Sequence, residues 1–339
     1  MRRLICLLLL LGICLPSALV SCGDRSRVHD GFAALNTWIE LDFTPASDAP
    51  ATGEEMRLHC RALVAEYEQR FSRTALDAEL HQLNAGMTDL LSAPTEELLL
   101  RALSYAGMTD GAFDPTTGAL SALWNITGNE EFVPPAAGAV ETARATVGYT
   151  RVSCAEHRLI RTDPATQLDL GGVAKGYIAE ALVAYLEPLC TGGVLNLGGN
   201  IAVFGERTGG GEYRIALRSP FAAGEQLGVF RIPAGYVSVS GSYERYREYN
   251  GVRYHHIFDP ATGYPAESDL ISVAVWSQDG AFADALSTAL FVMGGEGARA
   301  FCEQNEPYEG QPIGVVLTYS DGRSELHGAA ATRFDLTVQ

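Results

Sequence analysis

The sequence predicts an α+β fold in a chain of 339 residues. Short segments that alternate apolar and polar residues recur at hairpin spacing, at 213–217, 228–232 and 236–240, which is typical of antiparallel strands. Helical segments fall between the strands without the regular strand–helix alternation of a parallel sheet. Hydrophobic residues make up 47% of the chain, which is enough for one large domain or two intimately packed ones.

The N-terminal elements follow from their residue patterns. Residues 31–43 alternate as a strand, and residues 54–71 place apolar side chains at helical spacing. A polar segment then ends at Asn84, and a further helix is predicted over 95–105. Residues 109–124 are rich in turn residues and contain an aspartate directly before a proline.

The rest of the chain is arranged around the segment 168–177, L-D-L-G-G-V-A-K-G-Y. Paired short strands are predicted before it, over 145–166, and a helix after it, to about residue 189. An apolar strand and a second glycine turn, Gly198–Gly199, follow. The C-terminal third predicts a strong turn over 259–265, helices over 280–293 and 295–303, and strands over 253–258, 271–276, 315–319 and 324–327.

The central segment has features of an anion site. Its glycines remove side chains at a turn, so that another group can approach the backbone. A helix that starts after such a turn presents N–H groups and the positive end of its dipole, which suit a phosphate. Lys175, at this turn, is the only lysine of the chain. Its presence is either chance or a requirement for a compact point charge beside a ligand. Neither of the usual phosphate-loop spacings is present.

The first residues predict export. Arg2 and Arg3 precede a short apolar run that ends in L-V-S-C at Cys22, which is typical of a secretory signal over 1–21. The L-x-S-C pattern resembles the bacterial lipobox, which implies cleavage before Cys22 and its lipidation; an ordinary signal peptide is the alternative. We therefore expect a tether over 22–30, a folded domain over 31–339, and a protein anchored to a bacterial membrane, facing the periplasm or the cell exterior.

Charge and cysteine content exclude several classes of protein. The formal net charge is −17 and no basic cluster occurs, so no nucleic-acid partner is expected. An acidic protein that binds an anion needs positive charge at the binding site, which a divalent metal and helix N-termini could supply. The cysteines after Cys22 show no C-x-x-C spacing, so a zinc site is not expected; they form disulfides or are buried thiols. These cysteines are Cys60, Cys154, Cys190 and Cys302.

Two features of the C-terminal third could carry chemistry. Asp284 and Thr288 are four residues apart on a predicted helix, so they share a face. Their oxygens suit Mg²⁺, although Asp284 could simply be a first-turn acid that stabilises its helix. The adjacent His255 and His256 point to opposite faces of a predicted strand. At most one of them can therefore face a given pocket and act there. The alternative is that neither has a functional role, with one histidine exposed and the other in the core.

Two glycine turns, a lysine, an oxygen pair and a histidine together indicate a ligand that carries a pyrophosphate. One metal on the pyrophosphate, with a base nearby, is enough for group transfer.

The ordered motifs resemble those of the bacterial FAD:protein FMN transferases, the ApbE family, over essentially the whole mature chain. The segments that carry the resemblance are F-S-R-T-A-L-D-A-E-L-H-Q-L-N, D-G-A-F-D-P-T-T-G-A-L, L-D-L-G-G-V-A-K-G-Y, V-L-N-L-G-G-N-I, S-G-S-Y-E-R, Y-H-H-I-F-D-P-A-T-G-Y-P and A-D-A-L-S-T-A-L-F-V-M-G. The resemblance implies a T-fold-like core with mixed or antiparallel sheets flanked by helices. It also implies a Mg²⁺-dependent enzyme that cleaves FAD, passes FMN to a threonine or serine hydroxyl of a target protein, and releases AMP.

The resemblance also implies residue roles. The side chains of Asp284 and Thr288 and the carbonyl of Ala174 would hold the metal. His256 would be the base for the acceptor hydroxyl, and Asp259 would orient that region. The FAD-binding residues would be Leu35, Thr74, Ala112, Phe113, Asp114, Gly171, Lys175, Tyr177 and Phe258.

The chain departs from the family pattern at two places. Leu35 begins the segment that the family writes M-G-T, and Thr74 stands where the family often has an aromatic residue. Two other functions therefore stay open: a periplasmic FAD pyrophosphatase that produces FMN and AMP, and a lipoprotein that binds FAD without chemistry.

Overall fold

The computed structural model describes residues 27–337 except 129, 306 and 309. The predicted signal peptide and Cys22 lie outside the described residues. The helices are α1 (Gly53–Phe71), α2 (Glu79–Asn84), α3 (Ala93–Met108), α4 (Gly118–Trp124), α5 (Ala137–Arg144), α6 (Ala174–Leu186), α7 (Gly280–Asn305) and α8 (Ala330–Arg333). None of the helices in the described part is long and apolar enough to span a bilayer.

Most of the strands belong to one large sheet. The strands are β1 (Val28–Ala34), β2 (Thr37–Pro45), β3 (Val152–Ala155), β4 (Arg158–Arg161), β5 (Cys190–Leu197), β6 (Asn200–Gly205), β7 (Tyr213–Arg218), β8 (Gln226–Ile232), β9 (Gly235–Gly241), β10 (Tyr246–Tyr249), β11 (Val252–His255), β12 (Leu270–Ser277), β13 (Gly314–Tyr319), β14 (Ser324–Gly328) and β15 (Phe334–Leu336). The main sheet has the order β1-β2-β5-β6-β9-β12-β13-β14, and its neighbours pair antiparallel. A smaller sheet has the order β15-β8-β7. The predicted α+β class is confirmed; the T-fold-like core stays a prediction.

Both faces of the main sheet are covered. One face packs its apolar residues, such as Leu41 and Val273, against the helices α1, α3, α6 and α7 in the largest core cluster. The opposite face packs residues such as Val237 and Trp276 against the smaller sheet, which contributes Ile215 and Phe230. The alternation of side chains along each strand is what allows one sheet to bury two separate apolar layers.

Several elements differ from the sequence prediction, which also did not include α5 and β10. Residues 31–43 form a hairpin rather than one strand, because Leu35 and Asn36 adopt positive φ (52° and 55°) and make a two-residue loop between β1 and β2. The strand β1 begins at Val28 and therefore contains the end of the expected tether; Asp30 within it is paired with Arg61 at 2.7 Å. The two predicted C-terminal helices are confirmed: they are the two parts of α7, which meet at a kink where Gly294 has a non-helical backbone (φ 69°, ψ 176°).

Helices α6 and α7 touch at their backbones through Gly176. A Cβ atom placed there would lie 2.0 Å from the carbonyl oxygen of Gly280. We expect Gly176→Ala to lower the free energy of unfolding by about 3 kcal/mol, because packed backbones cannot separate freely. Urea denaturation measures this change.

The matched control is Gly138→Ala in α5, where an added Cβ meets nothing within 4 Å. It should be neutral or stabilising, since alanine restricts the unfolded chain. Equal stability of the two variants would contradict the close helix contact.

Candidate active site

A cavity of about 310 Å³ opens where the N-terminal ends of α6 and α7 meet the end of β9 and the turn after β11. We call it the central cavity. It brings together segments far apart in the chain, from the 112–114 turn to the start of α7. The predicted site residues that line it are Thr74, Ala112, Phe113, Asp114, Gly171, Lys175, His256, Phe258, Asp284 and Thr288.

Two predicted FAD-binding residues lie elsewhere. Leu35 sits in the loop between β1 and β2, where its backbone N–H donates to Glu68 at 2.8 Å; its neighbour Asn36 lines the cavity instead. Tyr177 is buried in the helical layer, and its hydroxyl is 3.1 Å from the carboxylate of Glu97. Its position one turn into α6 turns it away from the cavity, which the local sequence does not reveal.

The other two residues outside the cavity lining are Asp259 and Ala174. The carboxylate of Asp259 accepts the N–H of Ala261 at 2.8 Å and closes the turn after β11, and the next residue, Pro260, lines the cavity. Asp259 therefore does not line the cavity itself but holds the turn that places Pro260 in the cavity wall. Ala174 is the first residue of α6 and is buried.

Asp284 links the two helices at the cavity floor. Its side chain is 6% exposed, and one oxygen accepts the backbone N–H of Gly176 in the first turn of α6 at 3.1 Å. Its other oxygen is 3.8 Å from Nζ of Lys175. No side chain of α6 itself caps this helix. Asp284 thus stabilises the positive end of α6, and this N–H group faces the carboxylate rather than a free anion site.

A cluster of hydroxyl groups lies beside Asp284. The hydroxyl of Ser287 donates to the carbonyl oxygen of Asp284 at 2.9 Å, and Ser240 lies 2.8 Å from Ser287 and 3.2 Å from Oγ1 of Thr288. Because Ser287 uses its proton on the backbone, Ser240 donates to Ser287. The lone pairs of the Thr288 hydroxyl stay available beside the carboxylate of Asp284.

These oxygens fit a Mg²⁺ ion that is shared with a phosphate ligand. Among the described residues, no group of three or more His, Cys, Asp or Glu side chains could enclose a metal. Asp284 and Thr288 supply one carboxylate and one hydroxyl. Mg²⁺ commonly binds one or two carboxylates and completes its shell with water and substrate phosphate oxygens. The donor set therefore suits an ion that arrives with its substrate.

Glycine keeps the space next to these oxygens open. A Cβ on Gly172 would lie 3.3 Å from the ring of Phe113 and 3.6 Å from the hydroxyl of Thr288. The preceding residue, Gly171, is held by a hydrogen bond from its N–H to Asp169 at 2.8 Å. Any side chain at residue 172 would therefore fill the gap between an aromatic wall and the oxygen pair.

Asp114 lines the cavity, but its carboxylate is used inside the protein. It accepts hydrogen bonds from the N–H and hydroxyl of Thr116 at 2.8 and 2.6 Å, and from the N–H of Tyr149 at 2.8 Å. Burial raises the pKa of this carboxyl, while these hydrogen bonds oppose the shift. Asp114 therefore ties two loops together and holds Phe113 in the cavity wall.

The two adjacent histidines have different environments. His255 is buried, with Nε2 3.1 Å from the carbonyl of Ala266, and Nδ1 accepts the N–H of Ile257 at 3.3 Å. His256 lines the cavity, and its Nδ1 donates to the carbonyl of Arg245 at 3.1 Å. This bond places the proton on Nδ1 and leaves Nε2 as a proton acceptor. His255 is a core histidine, and His256 is the candidate base.

Burial and the positive charges of Arg245 and Lys175 lower the pKa of His256 to about 4. If His256 is the base, kcat/KM should stay near its maximum down to about pH 5, where roughly nine-tenths of the imidazole is neutral, and fall near pH 4. A pH–rate profile, with circular dichroism at each pH, measures this. An acid limb near pH 6.5 would contradict the lowered pKa.

Reasoning from the sequence missed Glu244 and Arg245, which both line the cavity. The surrounding protein raises the pKa of the Glu244 carboxyl through desolvation, and Lys175 and Arg245 oppose that shift. Both residues belong to the S-G-S-Y-E-R segment, which carried the family resemblance without an assigned role. The signal that could have identified them is the position of this charged pair directly after a glycine-containing turn.

The chain is similar to known proteins over most of its length. The model of the ApbE family matches residues 35–310. An FAD:protein FMN transferase of Treponema pallidum is 33% identical over 316 residues, which cover 84% of each chain. One from Vibrio cholerae is 30% identical and covers 95% of this chain and 98% of its own.

Solved structures agree with these matches. The ApbE protein of Thermotoga maritima has a TM-score of 0.79 and 30% identity, over 88% of this chain and 96% of its own. The flavin transferase ApbE of Vibrio cholerae has a TM-score of 0.78 and 26% identity, over 89% and 97%. Fold, ordered motifs and family match lead to one conclusion: this chain belongs to the ApbE family.

Proposed function

We propose that this protein transfers the FMN part of FAD to a threonine or serine hydroxyl of a target protein and releases AMP. The observation that carries the proposal is a single cavity lined by Asp284, Thr288 and Lys175 together with His256. These side chains supply a metal-binding oxygen pair, a cation and a neutral base. Membership of a family whose relatives are named FAD:protein FMN transferases supports the same reaction.

Each residue has a distinct task in this reaction. Asp284 and Thr288 would hold Mg²⁺, which supplies charge neutralisation at the pyrophosphate when bound. Lys175 lies 3.8 Å from Asp284 and adds positive charge at the same place. Phe113 and Phe258 form apolar walls suited to a flat ring system. Preorganised charge next to apolar walls stabilises the negative charge that develops on phosphate oxygens.

His256 accepts the proton of the acceptor hydroxyl through Nε2. The hydroxyl oxygen then attacks the phosphorus of the FMN half, and the bond from that phosphorus to the bridging oxygen breaks. AMP departs with the bonding electrons, and a phosphoester joins FMN to the protein. The hydrogen bond from Nδ1 to Arg245 keeps the ring oriented for this transfer.

A single incubation tests the proposal. The purified domain is mixed with FAD and Mg²⁺, with and without a candidate acceptor domain, and AMP, free FMN and protein-bound flavin are followed. Flavin on the acceptor together with AMP is the expected result. Free FMN and AMP without acceptor would instead indicate a pyrophosphatase, and intact FAD in both tubes would contradict both enzymatic functions.

We further propose that the chain is exported, cleaved before Cys22 and lipidated there, so that the domain works at a membrane surface. The L-V-S-C pattern supports this. The strand β1 starts at Val28, so residues 23–27 would link it to the anchor. Labelling with a radioactive fatty acid should mark the wild-type chain and not Cys22→Ser; equal labelling would contradict the proposal.

A further inference from the structure

A second space lies beside the central cavity, between β7 and the outer face of the main sheet. We call it the side groove. Its volume is about 510 Å³. Ala216, Leu217 and Arg218 form one wall, and Trp38, Ile201 and Thr318 form part of the other.

The side groove and the central cavity meet. Gly198, Val239 and Glu244 line both spaces. Gly198 belongs to the glycine turn between β5 and β6, and its positive φ of 64° suits a residue without a side chain. A chain lying in the groove therefore reaches the cavity that His256 lines by passing this turn.

The groove exposes the edge of a strand. Three consecutive residues of β7 line it, although alternate side chains of a strand point to opposite faces. Only the edge of a strand presents three consecutive residues to the same space. In the described part of the chain, β7 ends its sheet and pairs with β8 alone. Its outer N–H and C=O groups are thus free to pair with another extended segment.

The opposite wall offers contacts for side chains. Trp38 is 56% exposed although it is a large apolar residue. Thr318 is fully buried, and its hydroxyl has no hydrogen-bond partner among the described residues. A buried polar group without a partner costs free energy, so an occupant that offers a polar group here would be favoured. The groove combines apolar and polar contacts next to a free strand edge.

We propose that the side groove binds an extended segment of the acceptor protein, which pairs with β7 and brings its hydroxyl past Gly198 to His256. This inference rests on the proposed function. Pairing along a strand edge gives affinity through the main chain, and pockets for alternate side chains give specificity. The six residues of β7 span about 20 Å, which is long enough to hold a short segment in register.

A protein acceptor fits these features better than FAD does. Transfer to a protein requires a polypeptide to enter the site, and a free strand edge is complementary to polypeptide backbone. The groove approaches the central cavity from the side of Glu244 and the Gly198–Gly199 turn, whereas the aromatic walls Phe113 and Phe258 belong to the central cavity alone. The acceptor and FAD can therefore occupy adjoining spaces.

The test uses the full enzyme and a displayed library of nine-residue peptides with a central threonine. The library is incubated with FAD and Mg²⁺ and sorted by flavin fluorescence, and the most strongly labelled peptide is synthesised. The variant Trp38→Ala removes an exposed aromatic side chain from the groove wall, and the control Phe221→Ala removes another exposed aromatic side chain outside the groove lining. FAD affinity and AMP release without peptide are measured for all three proteins.

We expect Trp38→Ala to raise KM for the peptide by at least about tenfold and to leave FAD affinity and AMP release without peptide unchanged. Phe221→Ala should behave as the wild type does. An unchanged KM in Trp38→Ala would overturn the inference, as would a weakened FAD affinity, which would make the groove part of the FAD site. Release of AMP without labelling of any peptide would also overturn it, whereas absence of AMP release in every tube would reject the proposed function.

Discussion

Replacement of Asp284 by asparagine is expected to reduce Mg²⁺-dependent AMP release from FAD by about a thousandfold and to leave the protein folded. The amide oxygen still accepts the N–H of Gly176, which now meets the carboxylate at 3.1 Å, but the negative charge that would hold the metal is lost. Several kcal/mol of charge stabilisation by a metal correspond to a rate factor of this size. AMP release is followed by chromatography over a Mg²⁺ titration.

A second variant separates the metal role from the structural one. Asp284→Ala loses both the charge and the acceptor for the first turn of α6, so it should be less stable than Asp284→Asn by about 1 kcal/mol. Both variants should be equally inactive. If Asp284→Asn releases AMP at the wild-type rate, Asp284 only caps the helix and the assigned metal role is wrong.

The second large effect is expected for His256→Asn. The asparagine amide can still donate to the carbonyl of Arg245, which Nδ1 reaches at 3.1 Å, but no group replaces Nε2. Transfer to an acceptor should slow by about a hundredfold or more, which is the usual contribution of a general base. FAD binding, measured by the change in flavin fluorescence, should be unchanged.

The adjacent histidine provides the control. His255 is buried against Phe291 and uses both ring nitrogens within the protein. His255→Asn should lower the free energy of unfolding by about 2 kcal/mol and leave the rate per folded molecule close to that of the wild type. Loss of FAD binding in His256→Asn would recast His256 as a ligand contact, and equal rates for both variants would remove its role as base.

The regular elements were largely predictable because their signals are local. The helix predicted over 54–71 is observed at Gly53–Phe71, and the capping box of Thr52 and Glu55 explains its start. The hairpin at Leu35 and Asn36 was not predictable in this way, since neither proline nor glycine marks the turn and both residues adopt positive φ. The pairing of β1 with β2, which a single chain segment does not reveal, holds that conformation in place.

The candidate site was predictable in part. The ordered motifs identified ten of the residues that line the central cavity, from Thr74 to Thr288. They did not reveal that Tyr177 faces Glu97 within the helical layer, nor that Glu244 faces the cavity. Residue type and spacing indicate which chemical reactions the side chains of a segment could support, but not where those side chains point. The direction of a side chain depends on the elements that pack against it.

The sequence alone determined the α+β class, most of the longer helices and strands, the family resemblance and the residue types available for metal, phosphate and proton chemistry. The tertiary structure decided which histidine meets the cavity, and that Asp284 holds the start of α6. It also decided that the side groove joins the cavity. The physical reason is distance along the chain: Gly176 and Asp284 are 108 residues apart. A contact of that separation forms only when the main sheet and its helices have packed together.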